Sequence, residues 1–203
     1  MTDSKKKAEP LDSVRRELDS LDAKIQELIS ERARLAFRVR ESKSASQDAV
    51  DYFRPEREAQ VLRGVLERNE GPLSDGEMLR LFREIMSACL AQQEPLKVAY
   101  LGPEGTFTQQ AVHRHFGHSV HALSLPSIDD VFEQVQSGDA NFGVVPVENS
   151  TQGIVSHTLD MFLLSDLKIC GEIELRVHQN LLTLAASVEQ IERVYSHEQS
   201  LSP

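Results

Sequence analysis

From Leu11 onward the apolar residues fall at Leu11, Val14, Leu18, Leu21, Ile25 and Leu28, then at Leu35 and Val39. The spacing alternates three and four, the seam of a long helix with coiled-coil character. No Gly or Pro interrupts Leu11 to Lys43, and at 1.5 Å per residue such a helix spans about 50 Å. That outreaches a globule of roughly 90 residues. The helix must therefore pack against something outside its own domain, and a homodimer that pairs the long helices is the economical arrangement.

The pattern breaks at Ser44–Asp51 and resumes at Arg54-Pro55-Glu56-Arg57-Glu58, where Pro55 and the acids suit the first turn of a second helix with the stripe Val61, Leu62, Val65. Gly71-Pro72 predicts a turn. Ser74 with Glu77 then forms the capping box of a third helix carrying Met78, Leu81, Phe82, Ile85 and Cys89, with the stripe running on to Gln93. Beyond Pro95 the period changes. Val98–Leu101 and Phe142–Val147 read as buried strands, Val120–Leu125 as strand-like, and Leu167–Glu174 and Val177–Leu184 as further strands that alternate less cleanly. Helical patterns start at Gln109 and after the cap Ser127, which has Asp129 and Asp130 in its first turn and Gly138 behind it. Strands interleaved with helices predict an α/β region with a mostly parallel sheet.

Charge sharpens the division. Residues 1–95 hold 17 Lys+Arg against 19 Asp+Glu, and residues 96–203 hold 5 against 13, so nets of −2 and −8 make up the overall −10. The expected organisation is a flexible tail over 1–10, a helical domain over 11–95 and an α/β domain over 96–203. The only basic cluster is Lys5–Lys7, which argues against nucleic acid. No apolar run reaches membrane-spanning length and no apolar leader follows Met1, while Cys89 and Cys170 have neither metal nor redox spacing. These features suit a cytoplasmic protein.

Each helix sets a polar residue where its own period asks for an apolar one: Arg32, Glu58 and Gln93. Lys43 lies eleven residues after Arg32, three turns plus about 20°, so both point the same way. An internal salt-bridge network, or exposed seam positions, would account for the pattern. So would a cationic pocket with one acid and one amide, built for a small dianion.

Residues 11–93 resemble the all-α chorismate mutase family, through Val14-Arg15-Arg16, Leu21-Asp22, Glu31-Arg32, Lys43, Pro55-Glu56-Arg57-Glu58 and the stretch from Cys89 to Gln93. The resemblance implies a dimeric three-helix fold and the rearrangement of chorismate to prephenate. It implies that Arg32 and an Arg15 from the partner subunit clamp two carboxylates. Lys43 and Gln93 would donate to the ether oxygen, Glu58 would accept from the ring hydroxyl, and Arg57 would position the ring. Arg54 and Cys89 depart from the family pattern, standing where an Asp and a Ser contact substrate.

In the second part, Gly102-Pro-Glu-Gly-Thr-Phe-Thr108 follows a strand and opens a helix, an arrangement suited to binding an anion. Glu148-Asn-Ser-Thr-Gln-Gly153 also follows an apolar run, so both loops fall at the C-terminal edge of the sheet. Asn149–Thr151 also reads as a capped loop entering the next helix. With Tyr195-Ser196-His197, these stretches resemble prephenate dehydratase, a family with two lobes like those of periplasmic binding proteins. The whole chain thus resembles the N-terminal portion of the bifunctional chorismate mutase/prephenate dehydratase family of phenylalanine synthesis. The resemblance implies that Thr106, Asn149, Ser150, Thr151, Ser196 and His197 line a prephenate pocket, with no cofactor.

No Thr-Arg-Phe motif is present, although the resembled family carries one further along. The expectation is an incomplete dehydratase part with impaired or absent dehydration. His113, His115, His118 and His121 lie within nine residues, but Arg114 and Gly117 split them and no Cys is near. They read as a solvated helix end rather than a zinc site. The rival reading of the whole chain is non-catalytic: an aromatic-acid-binding module with a helical dimerisation device.

Overall fold

A computed structural model describes residues 10–44, 54–92, 95–149, 153–178 and 180–196. The chain divides into two compact units, one of residues 1–96 with 116–120, the other of residues 97–115 with 121–203.

The first unit is built on three helices, α1 (Leu11–Ser44), α2 (Pro55–Glu67) and α3 (Asp75–Ala91). Pro55 opens α2 behind the extended Arg54, whose carbonyl accepts from the Glu58 N–H at 3.0 Å. Ser74 caps α3 by accepting from the Glu77 N–H at 3.3 Å. The reciprocal half of the capping box is replaced, because the Glu77 carboxylate takes the Arg80 guanidinium at 2.6 Å instead. Helix α3 packs against both α1 and α2, with Val65 and Cys89 buried at the centre. The seam of α1 stays largely exposed in the single chain. Leu18, Leu21, Ile25 and Leu28 keep between 51% and 64% of their surface.

The second unit centres on a parallel sheet of β1 (Lys97–Leu101), β2 (His121–Leu125) and β3 (Phe142–Val144), in the order β2-β1-β3. Val98 faces Ala122 on one flank and Phe142 on the other. Val98, Ala99 and Tyr100 are wholly buried, the continuous apolar strand required where both faces of a parallel sheet are covered. Helix α4 (Phe107–Phe116) connects β1 to β2, and α5 (Ile128–Gln136) connects β2 to β3. Ser127 caps α5, accepting from the Asp130 N–H at 3.1 Å, and Gly138 follows at a φ of 80°. Val131 of α5 packs with Ala99 and Ala140 in the core.

A short antiparallel pair, β4 (Glu148–Asn149) and β5 (Gly153–Ile154), leads to α6 (Ser156–Leu164). Phe162 of α6 meets Phe132 of α5 edge to face, ring centres 5.0 Å apart. Thr158, fully buried, donates to the Pro146 carbonyl at 2.7 Å.

The strands expected over Leu167–Glu174 and Val177–Leu184 do not form. Residues 165–178 and 180–186 lie outside any helix or strand, and among the described residues beyond them there is a 3₁₀ turn at Val188–Gln190. A strand exists only when a neighbour completes its ladder. No described residue pairs with these segments, which leaves Leu182 at 89% exposure. The run Phe142–Val147 gives a strand only as far as Val144.

Helix α5 approaches β3 closely at Gly143, where an added Cβ would sit 2.9 Å from Val131 Cγ1 and 3.2 Å from Val135 Cγ2. Gly143→Ala should therefore force α5 off the sheet and cost about 1–3 kcal/mol. A urea titration checks this as a lower midpoint for the second unit.

Candidate active site

In the first unit, α1 carries Arg15, Arg32 and Lys43, α2 carries Arg57 and Glu58 behind Arg54, and α3 carries Cys89. Arg15 is exposed and pairs with Asp12 at 3.7 Å, a surface contact worth little. Arg32 is half-buried, and no described carboxylate forms an ion pair with it. Lys43 lies in the last turn of α1, and Gln93 lies outside the described residues. Arg57 is exposed and donates to Gln60 Oε1 at 3.2 Å. Arg54 is exposed at the N-cap of α2, and Cys89 is buried among the core residues of α3.

Glu58 is the acid that the fold encloses. Arg83 of α3 reaches it at 3.6 Å from Nε to Oε1, and the two side chains are only 24% and 17% exposed respectively. Burial raises the Glu58 carboxyl above its ordinary value, and the Arg83 charge offsets part of that rise. The periodicity gave no sign of Arg83, because it stands beside Phe82, off the apolar stripe of α3. One turn on, Ser87 is also buried, at 7% exposure, so α3 covers a second, polar face as well as its apolar one.

In the second unit, Thr106 sits at the mouth of β1 and caps α4. Its hydroxyl donates to the Pro103 carbonyl at 2.9 Å, and its carbonyl accepts from the Gln110 N–H at 3.1 Å. The Gly105 N–H is taken by Gln109 Oε1 at 2.6 Å. The N–H groups of Phe107 and Thr108 then open the helix without intrahelical acceptors, where an anion is favoured.

Asn149 is exposed in β4. Ser150, Thr151 and His197 lie outside the described residues, and Ser196 is exposed in irregular chain. β1 and β3 are parallel neighbours, so loop 102–106 and the segment leading to Asn149 both leave the sheet at its C-terminal edge.

The sequence reading also missed His157, whose Nε2 lies 2.7 Å from Asp129 Oδ2 and holds that carboxyl below its ordinary range. Among the four clustered histidines, His118 Nδ1 lies 2.7 Å from Glu84 Oε1, while His113 and His115 belong to α4 and His121 to β2. Among the described residues no group of three or more His, Cys, Asp or Glu is arranged to hold a metal.

The family model for prephenate dehydratase matches residues 98–202, more than half of the chain. The chain belongs to the prephenate dehydratase family. Ahead of that region, the model for chorismate mutase type II matches residues 14–94. The chain is 56% identical over 200 residues to a bifunctional chorismate mutase/prephenate dehydratase of Stutzerimonas stutzeri, covering 96% of this chain and 54% of that protein. It is 55% identical to the protein of the same description from Pseudomonas aeruginosa, over 95% of this chain and 54% of the relative. The Escherichia coli protein of that description is 30% identical, over 94% and 53%. The chain thus spans about half the length of the curated relatives it matches. Thr106 and Asn149 belong to the prephenate dehydratase region, whereas Arg32, Glu58 and Arg83 belong to the chorismate mutase region. Among the described residues no helix is long and apolar enough to cross a membrane.

Proposed function

We propose that the helical domain, residues 11–95, rearranges chorismate to prephenate, and that the α/β domain, residues 96–203, is a prephenate-binding part of a dehydratase. The observation that carries the first half is an unneutralised cation and an enclosed acid in a region matched by chorismate mutase type II. A half-buried Arg32 has no described carboxylate to neutralise it, while a half-buried Glu58 stands on another helix. A substrate with two carboxylates and a ring hydroxyl complements both.

The rearrangement breaks an ether C–O bond as a C–C bond forms, with no nucleophile and no proton transfer. Catalysis then reduces to holding the compact conformer and stabilising charge that grows on the ether oxygen. Arg32 and an Arg15 from a second copy clamp the carboxylates, the forked guanidinium matching each. Lys43 and Gln93 donate to the ether oxygen, Glu58 accepts from the ring hydroxyl, and Arg57 positions the ring end. Arg54 and Cys89 line the same site. Dimerisation through α1 is part of this reading, supported by a 34-residue helix whose seam is exposed in the single chain.

In the α/β domain, Thr106, Asn149, Ser150, Thr151, Ser196 and His197 are assigned to the prephenate pocket, in a lobe of periplasmic-binding-protein type. The placement of Thr106 behind the C-terminal end of β1 and the open first turn of α4 support an anion there. The free thiols of Cys89 and Cys170 fit a cytoplasmic setting.

Loss of chorismate absorbance on addition of the chain tests the first half directly. No rate above background, with the helical circular-dichroism signal intact, overturns it.

A further inference from the structure

Arg83 is a cation for which the proposed reaction has so far named no use. It reaches Glu58 across the packed α2 and α3 helices at 3.6 Å, close enough for charge to act but too long for a hydrogen bond. Its Nε is buried and has no hydrogen-bond partner. A pair of this kind is a poor stabiliser, since desolvation offsets the attraction and apolar residues of similar volume would do as well. It leaves the Glu58 oxygens free to accept from another donor.

We infer that Arg83 is a positioning residue of the helical site: from α3 it keeps the Glu58 carboxylate ionised and fixed in orientation, as an acceptor for the substrate hydroxyl. The inference rests on the mutase reading, in which Glu58 meets substrate.

The surrounding charges are otherwise engaged. On α2, Arg57 turns to Gln60 and Arg63 to the Ala59 carbonyl. On α3, Arg80 is tied to Glu77, and Glu84 holds the His118 N–H and ring. Arg32 of α1, which packs on α3, makes no ion pair with Glu58. Among the described residues Arg83 is thus the charge that bears on Glu58. The sign follows. Burial disfavours the carboxylate and Arg83 favours it, so removing Arg83 raises the pH at which Glu58 ionises. A reaction that needs the carboxylate then loses rate on the acid side first.

The test is the pH profile of kcat/KM for chorismate, recorded on the full 203-residue chain and on Arg83→Gln and Arg83→Lys. Arg83→Gln should move the acid limb upward by about one pH unit, a tenfold loss on that limb, and Arg83→Lys should return most of it. A role confined to packing would lower stability without moving the limb, and an unmoved limb in folded Arg83→Gln overturns the inference.

If Arg83→Gln does not fold, the Glu58→Gln/Arg83→Gln pair, which leaves neither charge unpaired, is compared with Glu58→Gln alone. Turnover equal within about twofold supports action through Glu58, and a further tenfold loss refutes it. Carbon-13 NMR of chain labelled at the glutamate carboxyls, with Glu58 assigned by its loss in Glu58→Gln, separates this inference from the mutase reading. Absent turnover in the unmodified chain defeats the mutase reading, whereas an unchanged Glu58 midpoint in Arg83→Gln defeats the inference.

Discussion

Arg32→Ala should lower kcat/KM for chorismate by two orders of magnitude or more, corresponding to about 3 kcal/mol of lost transition-state stabilisation. The size follows from the environment. Arg32 is half-buried on α1 with no described carboxylate beside it, so its charge interacts with an incoming anion in a medium of reduced dielectric. The folded chain should tolerate the change, because it removes a cation that no described acid was neutralising. Arg32→Lys should recover only part of the activity, since an ammonium offers a point charge in place of a planar fork. Lys43→Ala should cost at least as much, acting on kcat if Lys43 meets charge that appears only in the transition state. Steady-state kinetics with matched circular dichroism checks both. Unchanged turnover in either variant would sink the pocket assignment.

The second large effect concerns assembly. Leu21 and Leu28 lie seven residues apart on the same strip of α1 and are 51% and 64% exposed. Replacing both with Arg should scarcely disturb an isolated chain, in which those side chains already face solvent. In a paired seam the same change buries two like charges per helix at a cost of several kcal/mol. The double variant should therefore sediment at half the mass of the unmodified protein while keeping its helical content. Mutase turnover should fall with it, because Arg15 then has no second site to enter. A variant that remains dimeric would show that α1 is not the interface. A monomer with full turnover would show that Arg15 is not shared between copies.

What was legible in the sequence was whatever local chemistry decides. Ser74 and Ser127 marked helix starts because a hydroxyl at that position satisfies an otherwise unpaired N–H, and both do so in the fold. The parallel sheet was legible because strand-like runs alternated with helical ones. Less was legible where distant partners decide. The segments 167–174 and 177–184 have strand-like composition, but composition supplies no neighbour, and the ladder is absent among the described residues. Arg83 was missed for a related reason. Its meaning comes from Glu58, 25 residues earlier on another helix, and no period within α3 records that. Thr106 was read as a ligand-facing hydroxyl and is found capping α4, a structural duty compatible with the proposed one.

The strand order has a consequence for how the sheet is assembled. β1 is first in the chain yet central in the sheet, with Val98 paired to Ala122 across 24 residues and to Phe142 across 44. Loop-closure entropy rises only slowly with length, by about 0.6 kcal/mol per doubling, so the two pairings differ little in that cost. What differs is the moment at which each partner exists. During synthesis, β1 leaves the ribosome as an apolar strand with neither neighbour made, gains β2 first, and acquires its other flank only when β3 follows. Val98, Ala99 and Tyr100 are thus the residues that wait longest for cover, and pulse-labelling of nascent chains should find them the most chaperone-accessible part of the sheet.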